Sequence, residues 1–163
     1  MNSPFLDRLA QGPLLADGAM GTLLFHKGIP FERCFDELNV AHSSLVEEIH
    51  REYLAAGAEL IETNTFGANA VRLAAHGLDA KAAVLARQGV KIARNAREIA
   101  GTVAFVAGSM GPLGKALVLG KADVAALLIE KRADLRVLDP DGRTVLHLAV
   151  IGGLEPLVQR LVA

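Results

Sequence analysis

The residues able to do chemistry fall into three short segments: Asp17-Gly-Ala-Met-Gly-Thr22, Glu62-Thr-Asn-Thr-Phe-Gly67 and Gly108-Ser-Met-Gly-Pro112. Each follows an apolar run and sets polar side chains beside glycines. Asp17 and Glu62 bring carboxylates, while Thr63, Asn64 and Ser109 bring neutral donors and acceptors. Taken alone, these residues have two readings. Asp17, Gly18 and Gly21 form a tight turn while Glu62 and Asn64 cap their own loops, or the segments converge on one ligand. Nucleophilic and metal chemistry are thinly supplied. Cys34 is the only cysteine, so no internal disulfide forms, and it reads as a reduced, partly buried thiol of an intracellular protein. His26, His42, His50 and His76 show no metal-ligand spacing and read as surface or packing residues.

The elements that must position these segments alternate between strand and helix. Pro13 to Asp17 reads as a strand running into Gly18-Ala-Met-Gly21, and residues 22 to 42 read as irregular, with Gly28 and Pro30 as breakers. Ser44 to Ala56 reads as a helix with Leu45, Ile49 and Tyr53 at helical spacing. Ser44 and Glu47 make a capping box, and Gly57 closes the helix in the left-handed conformation. Glu59 to Thr63 is a second strand and Asn69 to His76 a short helix. Asp79 caps a long helix from about Ala80 to Ala100, whose apolar face carries Val84, Val90, Ile92, Ile99 and several alanines. Thr102 to Ala107 is the third strand. A β-loop-α rhythm of this kind implies parallel strands with right-handed helical crossovers, and such folds place binding groups at the carboxyl ends of the strands.

In order and spacing, the three segments resemble the homocysteine S-methyltransferase family, which includes the homocysteine domain of methionine synthase. The stretch from Leu14 to Lys115 follows that family's opening, and Thr63-Asn-Thr-Phe-Gly67 followed by Arg72 and His76-Gly-Leu78 is its most specific part. The resemblance implies the first three β/α units of a TIM (β/α)8 barrel with the site at its top. It also implies a zinc ion, held by cysteine thiolates, that keeps the homocysteine sulfur a thiolate so that it attacks an activated methyl group. On that basis the substrate-binding residues are Asp17, Gly18, Ala19, Met20, Glu62, Thr63, Asn64 and Ser109. Gly18 and Ala19 lack bulk, so their backbone N–H groups can approach a carboxylate, while Glu62, Thr63 and Asn64 meet the ammonium group or line the pocket. The chain departs from the family at the metal. The zinc cysteines of late strands have no counterpart, and Cys34 matches no zinc ligand. The expectation is therefore no metal ligand, no catalytic residue and no cofactor in this chain, with homocysteine held weakly and the methyl donor unspecified.

After Lys115 the texture changes to short helices: Asp123 to Lys131, Thr144 to Ile151 and Glu155 to Val162. Asp139-Pro-Asp-Gly-Arg-Thr-Val-Leu-His-Leu-Ala149 resembles an ankyrin repeat, with Val145 in place of the proline of the Thr-Pro-Leu-His-x-Ala signature. The resemblance implies that Thr144 caps a helix and that His147 bonds locally. The expected organisation is a partial barrel over 1–115 followed by an all-α ankyrin-like fragment over 116–163, two truncated patterns joined as in a chimera. Residues 117–163 then offer a protein partner a surface, and open strand edges favour self-association.

Composition narrows the alternatives. Of 163 residues 52% are apolar, enough for a sizeable core, and the net charge of −1 argues against a nucleic-acid partner. Met1-Asn2-Ser3-Pro4 opens no signal peptide, and no apolar stretch approaches the 18 or so residues of a membrane span. A cytoplasmic protein without a membrane partner is expected.

Overall fold

A computed structural model describes residues 3–111 and 144–151, together with Glu155, Val158 and Gln159. The chain divides into two units, Met1–Gly111 and Pro112–Ala163. The predicted helix Asp123 to Lys131 and most of Glu155 to Val162 lie outside the described residues.

The first unit is built on parallel pairing. Strand β1 (Leu60–Glu62) pairs in parallel with β2 (Phe105–Ala107), in the register Leu60 to Phe105, Ile61 to Val106 and Glu62 to Ala107. On the other side of β1, Ala16 makes a single parallel bridge to Leu60. The spatial order thus follows the chain order, and helices fill both connections. The predicted strand Pro13 to Asp17 contracts to this one bridge. Pro13 has no N–H, and its carbonyl accepts from Arg8 Nη2 at 3.2 Å instead of from a neighbouring strand. Thr102 to Ala104 also stay outside the sheet. The register sets them beyond the start of β1, where Gly57, at φ 99°, turns the chain into the strand.

Helices α1 (Pro4–Leu9) and α2 (Met20–His26) precede a 3-10 turn, Phe35–Glu37, and the single turn α3 (Leu38–Ala41). The segment 22 to 42 is therefore less irregular than the glycine and proline breakers implied. Helix α4 (Ser43–Ala55) follows directly. Its N-cap is His42, whose carbonyl accepts from the N–H groups of Leu45 and Val46. Ser44 is already inside the first turn and caps nothing, which corrects the expected capping box. After β1 come α5 (Ala70–Ala74), capped by Asn69 Oδ1 accepting from Arg72 N–H at 3.0 Å, and a 3-10 turn, Asp79–Lys81. That turn leads into α6 (Ala82–Ala100), so Asp79 lies too far back to cap it.

The buried face of α6 also differs from expectation. It consists of Leu85, Gly89, Ile92, Ala93 and Ala96, while Val84 and Ile99 are exposed. A stripe of small residues lets α6 come close to the elements beneath it. Its Ile92 joins Leu24, Leu38, Val46 and Ile49 in one core cluster; its Ala93 and Ala96 join Leu54, Ala58, Ile61 and Ala104 in another. Each fully buried Leu or Ile contributes roughly 1.5–3 kcal/mol. These layers therefore hold the strand ends in place.

In the second unit, helix α7 (Val145–Ile151) begins just after Thr144. Thr144 Oγ1 accepts from His147 N–H at 3.4 Å, and His147 Nδ1 accepts from Thr144 N–H at 3.1 Å. The reciprocal pair supplies the local cap and the local histidine bonding expected from the sequence.

Candidate functional site

The three polar segments begin just after Ala16, at the last residue of β1 and just after β2, so parallel pairing brings them side by side. Asp17, Gly18, Ala19, Met20, Glu62, Thr63, Asn64 and Ser109 all line one cavity of about 550 Å3. The arrangement is tied together by hydrogen bonds between strand ends. Glu62 N–H donates to Asp17 Oδ2 at 3.0 Å, and Ser109 Oγ–H donates to Glu62 Oε2 at 3.0 Å. Ser109 N–H donates to Thr63 Oγ1 at 3.0 Å, and Thr65 Oγ–H donates to the Ser109 carbonyl at 2.7 Å. Because the single hydroxyl proton of Thr65 goes to that carbonyl, the 2.7 Å bond between the two threonines must run from Thr63 to Thr65. Thr63 is buried and its hydroxyl is fully engaged, so it fixes the site and offers a ligand little.

What remains for a ligand is a set of acceptors. Asp17 Oδ1, Glu62 Oε1 and Asn64 Oδ1 have no hydrogen-bond partner among the described residues. On the donor side, the N–H groups of Gly18 and Ala19 have no acceptor among the described residues. A Cβ at Gly18 would meet Tyr53 Oη at 3.0 Å, so a side chain there would press on the tyrosine ring. The cavity therefore presents carboxylates to a cation and bare backbone N–H groups to an anion. Burial raises the Asp17 carboxyl above its ordinary range, and the nearby Glu62 adds to the rise while the Glu62 N–H bond opposes it.

Several residues that sequence reading did not assign to the site stand around the same cavity: Phe31, Cys34, Asp36, Phe66, Arg72 and His76. Asp36 is buried, and its Oδ1 accepts from Gly67 N–H at 2.9 Å. Burial pushes its carboxyl upward, and that bond together with Arg72 and His76 opposes the rise. A Cβ at Gly67 would collide with Asp36 Oδ2, so glycine is required there. The Arg72 guanidinium lies 5.5 Å from the Phe66 ring centroid, a cation–π distance. Cys34 is buried and free, and burial pushes its thiol up. Arg72 and His76 were visible as part of the sequence motif. For Asp36 no local signal existed, since its partner Gly67 lies in another connection.

The described residues do not fit a family-type zinc site. Among them no three His, Cys, Asp or Glu side chains come together, and Cys34 is the chain's single thiol. Among the described residues no helix is long and apolar enough to cross a membrane.

A parallel α/β arrangement with a polar cavity at its strand ends defines a broad class of binding and catalytic proteins. Comparison narrows it. The sequence matches the Homocysteine S-methyltransferase family over residues 14–137, and the chain belongs to that family. It is 35% identical over 135 residues to methionine synthase of Mycobacterium tuberculosis, covering 77% of this chain and 11% of that protein. To homocysteine S-methyltransferase of Escherichia coli it is 38% identical over 120 residues, covering 68% of this chain and 38% of the relative. The solved homocysteine methyltransferase of Escherichia coli in its metallated form superposes with a TM-score of 0.64 at 27% identity, over 95% of this chain and 64% of that one. The chain thus spans about a tenth of the mycobacterial relative and under two-fifths of the curated Escherichia coli one. The family match runs past Lys115, where the change of texture had suggested a join.

Proposed function

We propose that this chain is a homocysteine S-methyltransferase-type module of methionine biosynthesis whose strand-end cavity holds the amino-acid end of homocysteine. Its three parallel segments correspond to the first β/α units of a (β/α)8 barrel. The observation that carries the reading is the convergence of Asp17–Met20, Glu62–Asn64 and Ser109 on one cavity lined by residues with acceptors and N–H groups unpaired among the described residues. The carboxylate of the ligand meets the N–H groups of Gly18 and Ala19. Its ammonium group meets the oxygens of Asp17, Glu62 and Asn64. Methyl transfer further needs the sulfur held as a thiolate, which zinc supplies when bound. Cys34 alone does not make that site, so the chain by itself binds homocysteine weakly and does not turn it over. Thiol activation comes from residues beyond this sequence, in a longer chain or an assembled partner.

Scanning calorimetry with and without millimolar homocysteine and zinc tests this. A ligand that binds only the folded form adds stability by mass action, about 1.4 kcal/mol at ten times its Kd. A midpoint that rises with homocysteine and not with zinc is expected; a midpoint unmoved by homocysteine overturns the reading.

A second reading is favoured by the Thr144–His147 pair: residues 117–163 form an ankyrin-like fragment that contacts another protein. Its test is a pull-down with the full chain and with a chain lacking residues 117–163. Loss of a partner only in the shortened chain supports it, and an identical partner set overturns it.

A further inference from the structure

We infer that Asn39, a buried residue outside the cavity wall, acts with the Phe35 carbonyl to fix which end of the Asn64 amide the cavity sees, and thereby selects ligands that carry an ammonium group. The inference rests on the proposed reading of the cavity as a homocysteine site.

Asn39 is 1% exposed, on α3, and does not line the cavity. Its Nδ2 donates to two backbone carbonyls, Asn64 O at 2.7 Å and Leu85 O at 3.1 Å. Carbonyls only accept, so the amide of Asn39 has one orientation, with Nδ2 toward them. Its Oδ1 is then left as an acceptor. Asn64 must answer with its own Nδ2, which lies 3.0 Å from Asn39 Oδ1 and 2.8 Å from the Phe35 carbonyl. Both Nδ2 hydrogens of Asn64 are spent inside the protein. The remaining polar atom of that side chain is Oδ1, and Asn64 lines the cavity. A flipped Asn64 would set its oxygen against the Phe35 carbonyl and Asn39 Oδ1, two acceptors. The chain of constraints therefore starts at backbone carbonyls of α6 and the β1 loop and ends in an acceptor offered to the ligand. An ammonium group satisfies it; a hydrogen-bond acceptor or a methylene in that place does not. Asn39 is a positioning residue, acting through Asn64.

The test is calorimetric titration of the full chain with homocysteine and with its des-amino analogue, for the natural sequence, Asn39→Leu and Asn39→Asp. Asn39→Leu removes one of the two acceptors that hold Asn64 Nδ2 and leaves the Phe35 carbonyl, whereas Asn39→Asp keeps an oxygen toward Asn64 but sets its other oxygen against the two carbonyls, at a cost in stability. The natural chain prefers homocysteine. Asn39→Leu is expected to shrink that preference by up to roughly ten-fold, the worth of one hydrogen bond to a charged group, because the Phe35 carbonyl still resists part of the flip, while Asn39→Asp preserves the preference whatever its thermal midpoint. Asn39→Ser, smaller and less disruptive, carries the same expectation as Asn39→Leu where the latter fails to fold. Equal losses for both ligands in Asn39→Leu overturn the inference. If the natural chain takes up neither ligand, the homocysteine reading fails separately. The side-chain amide resonances of Asn64 then decide the positioning role. Slow hydrogen exchange in the natural chain and Asn39→Asp, with fast exchange in Asn39→Leu, upholds it; unchanged exchange in Asn39→Leu sinks it.

Discussion

Acidification probes the packing of α4 through a single side chain. His50 is fully buried, and neither ring nitrogen has a hydrogen-bond partner among the described residues. Burial holds its pKa down, to about 4 from an ordinary 6.5. The folded protein therefore keeps this imidazole neutral while the unfolded chain takes up a proton near pH 6.5. A depressed folded-state pKa contributes stability that is fully present above the unfolded value and is lost as pH falls through the folded one. The loss begins below about pH 6.5 and levels off below about pH 4. Across the whole window it amounts to roughly 3 kcal/mol, and between pH 7 and pH 5 to about 2 kcal/mol. The larger figure is roughly a fifth to three-fifths of a typical domain's stability. Asp17 and Asp36, whose carboxyls are raised by burial, bias stability the opposite way, since their share is present at low pH and falls as pH rises. The His50 share is isolated by difference. Urea denaturation is followed by far-ultraviolet circular dichroism, because the chain has one Tyr and no Trp. The natural chain should lose about 2 kcal/mol more than His50→Leu between pH 7 and pH 5. Parallel pH curves for the two proteins would refute the argument.

Three further outcomes follow from the packing. Gly89→Ala should gain up to about 1 kcal/mol of helix propensity, yet its Cβ would lie 2.5 Å from Thr65 Cγ2 and 2.8 Å from Asn39 Nδ2. Overpacking of that kind costs about 1–3 kcal/mol, so urea titration should find the variant less stable and calorimetry should find weaker homocysteine binding. Cys34 should be alkylated by iodoacetamide more slowly than an unfolded cysteine at the same pH, because its thiol is buried and its pKa is raised. Homocysteine should slow the reaction again if it fills the cavity that Cys34 lines, as mass spectrometry of the labelled protein would report. Thr144→Val should remove the cap of α7 and cost about 1 kcal/mol of local helix stability, readable as faster amide exchange at residues 145–148 with no change in the first unit.

That the eight candidate residues line one cavity was legible because their position needs only two things: a strand that ends, and parallel strands that end on the same side. Both are local or topological. The element boundaries were less legible because caps are decided by neighbours. Ser44 has the right chemistry for a cap, but the turn that ends α3 at His42 makes His42 carbonyl the first acceptor of α4. Asp79 likewise lost its role to an intervening 3-10 turn.

The part of the site that sequence could not convey is its support, and the reason is visible at Gly89. Read along α6, a glycine in mid-helix is a defect, and Val84 and Ile99 make a better apolar face than Gly89 and Ala93. Read across the fold, the same glycine is the space into which Asn39 and the Asn64–Thr65 loop fit. Gly67 repeats the arrangement beside Asp36. In both places the information is a missing side chain on one element matched to a polar group on another, Asp36 for Gly67, 31 residues away, and Asn39 for Gly89, farther still. Periodicity records which residues an element buries and says nothing of what approaches from outside it. A glycine that lowers helix propensity where nothing local requires it is therefore the one trace such support leaves in a sequence. Here it marks the helix face on which the β1 loop, and with it Asn64, is held.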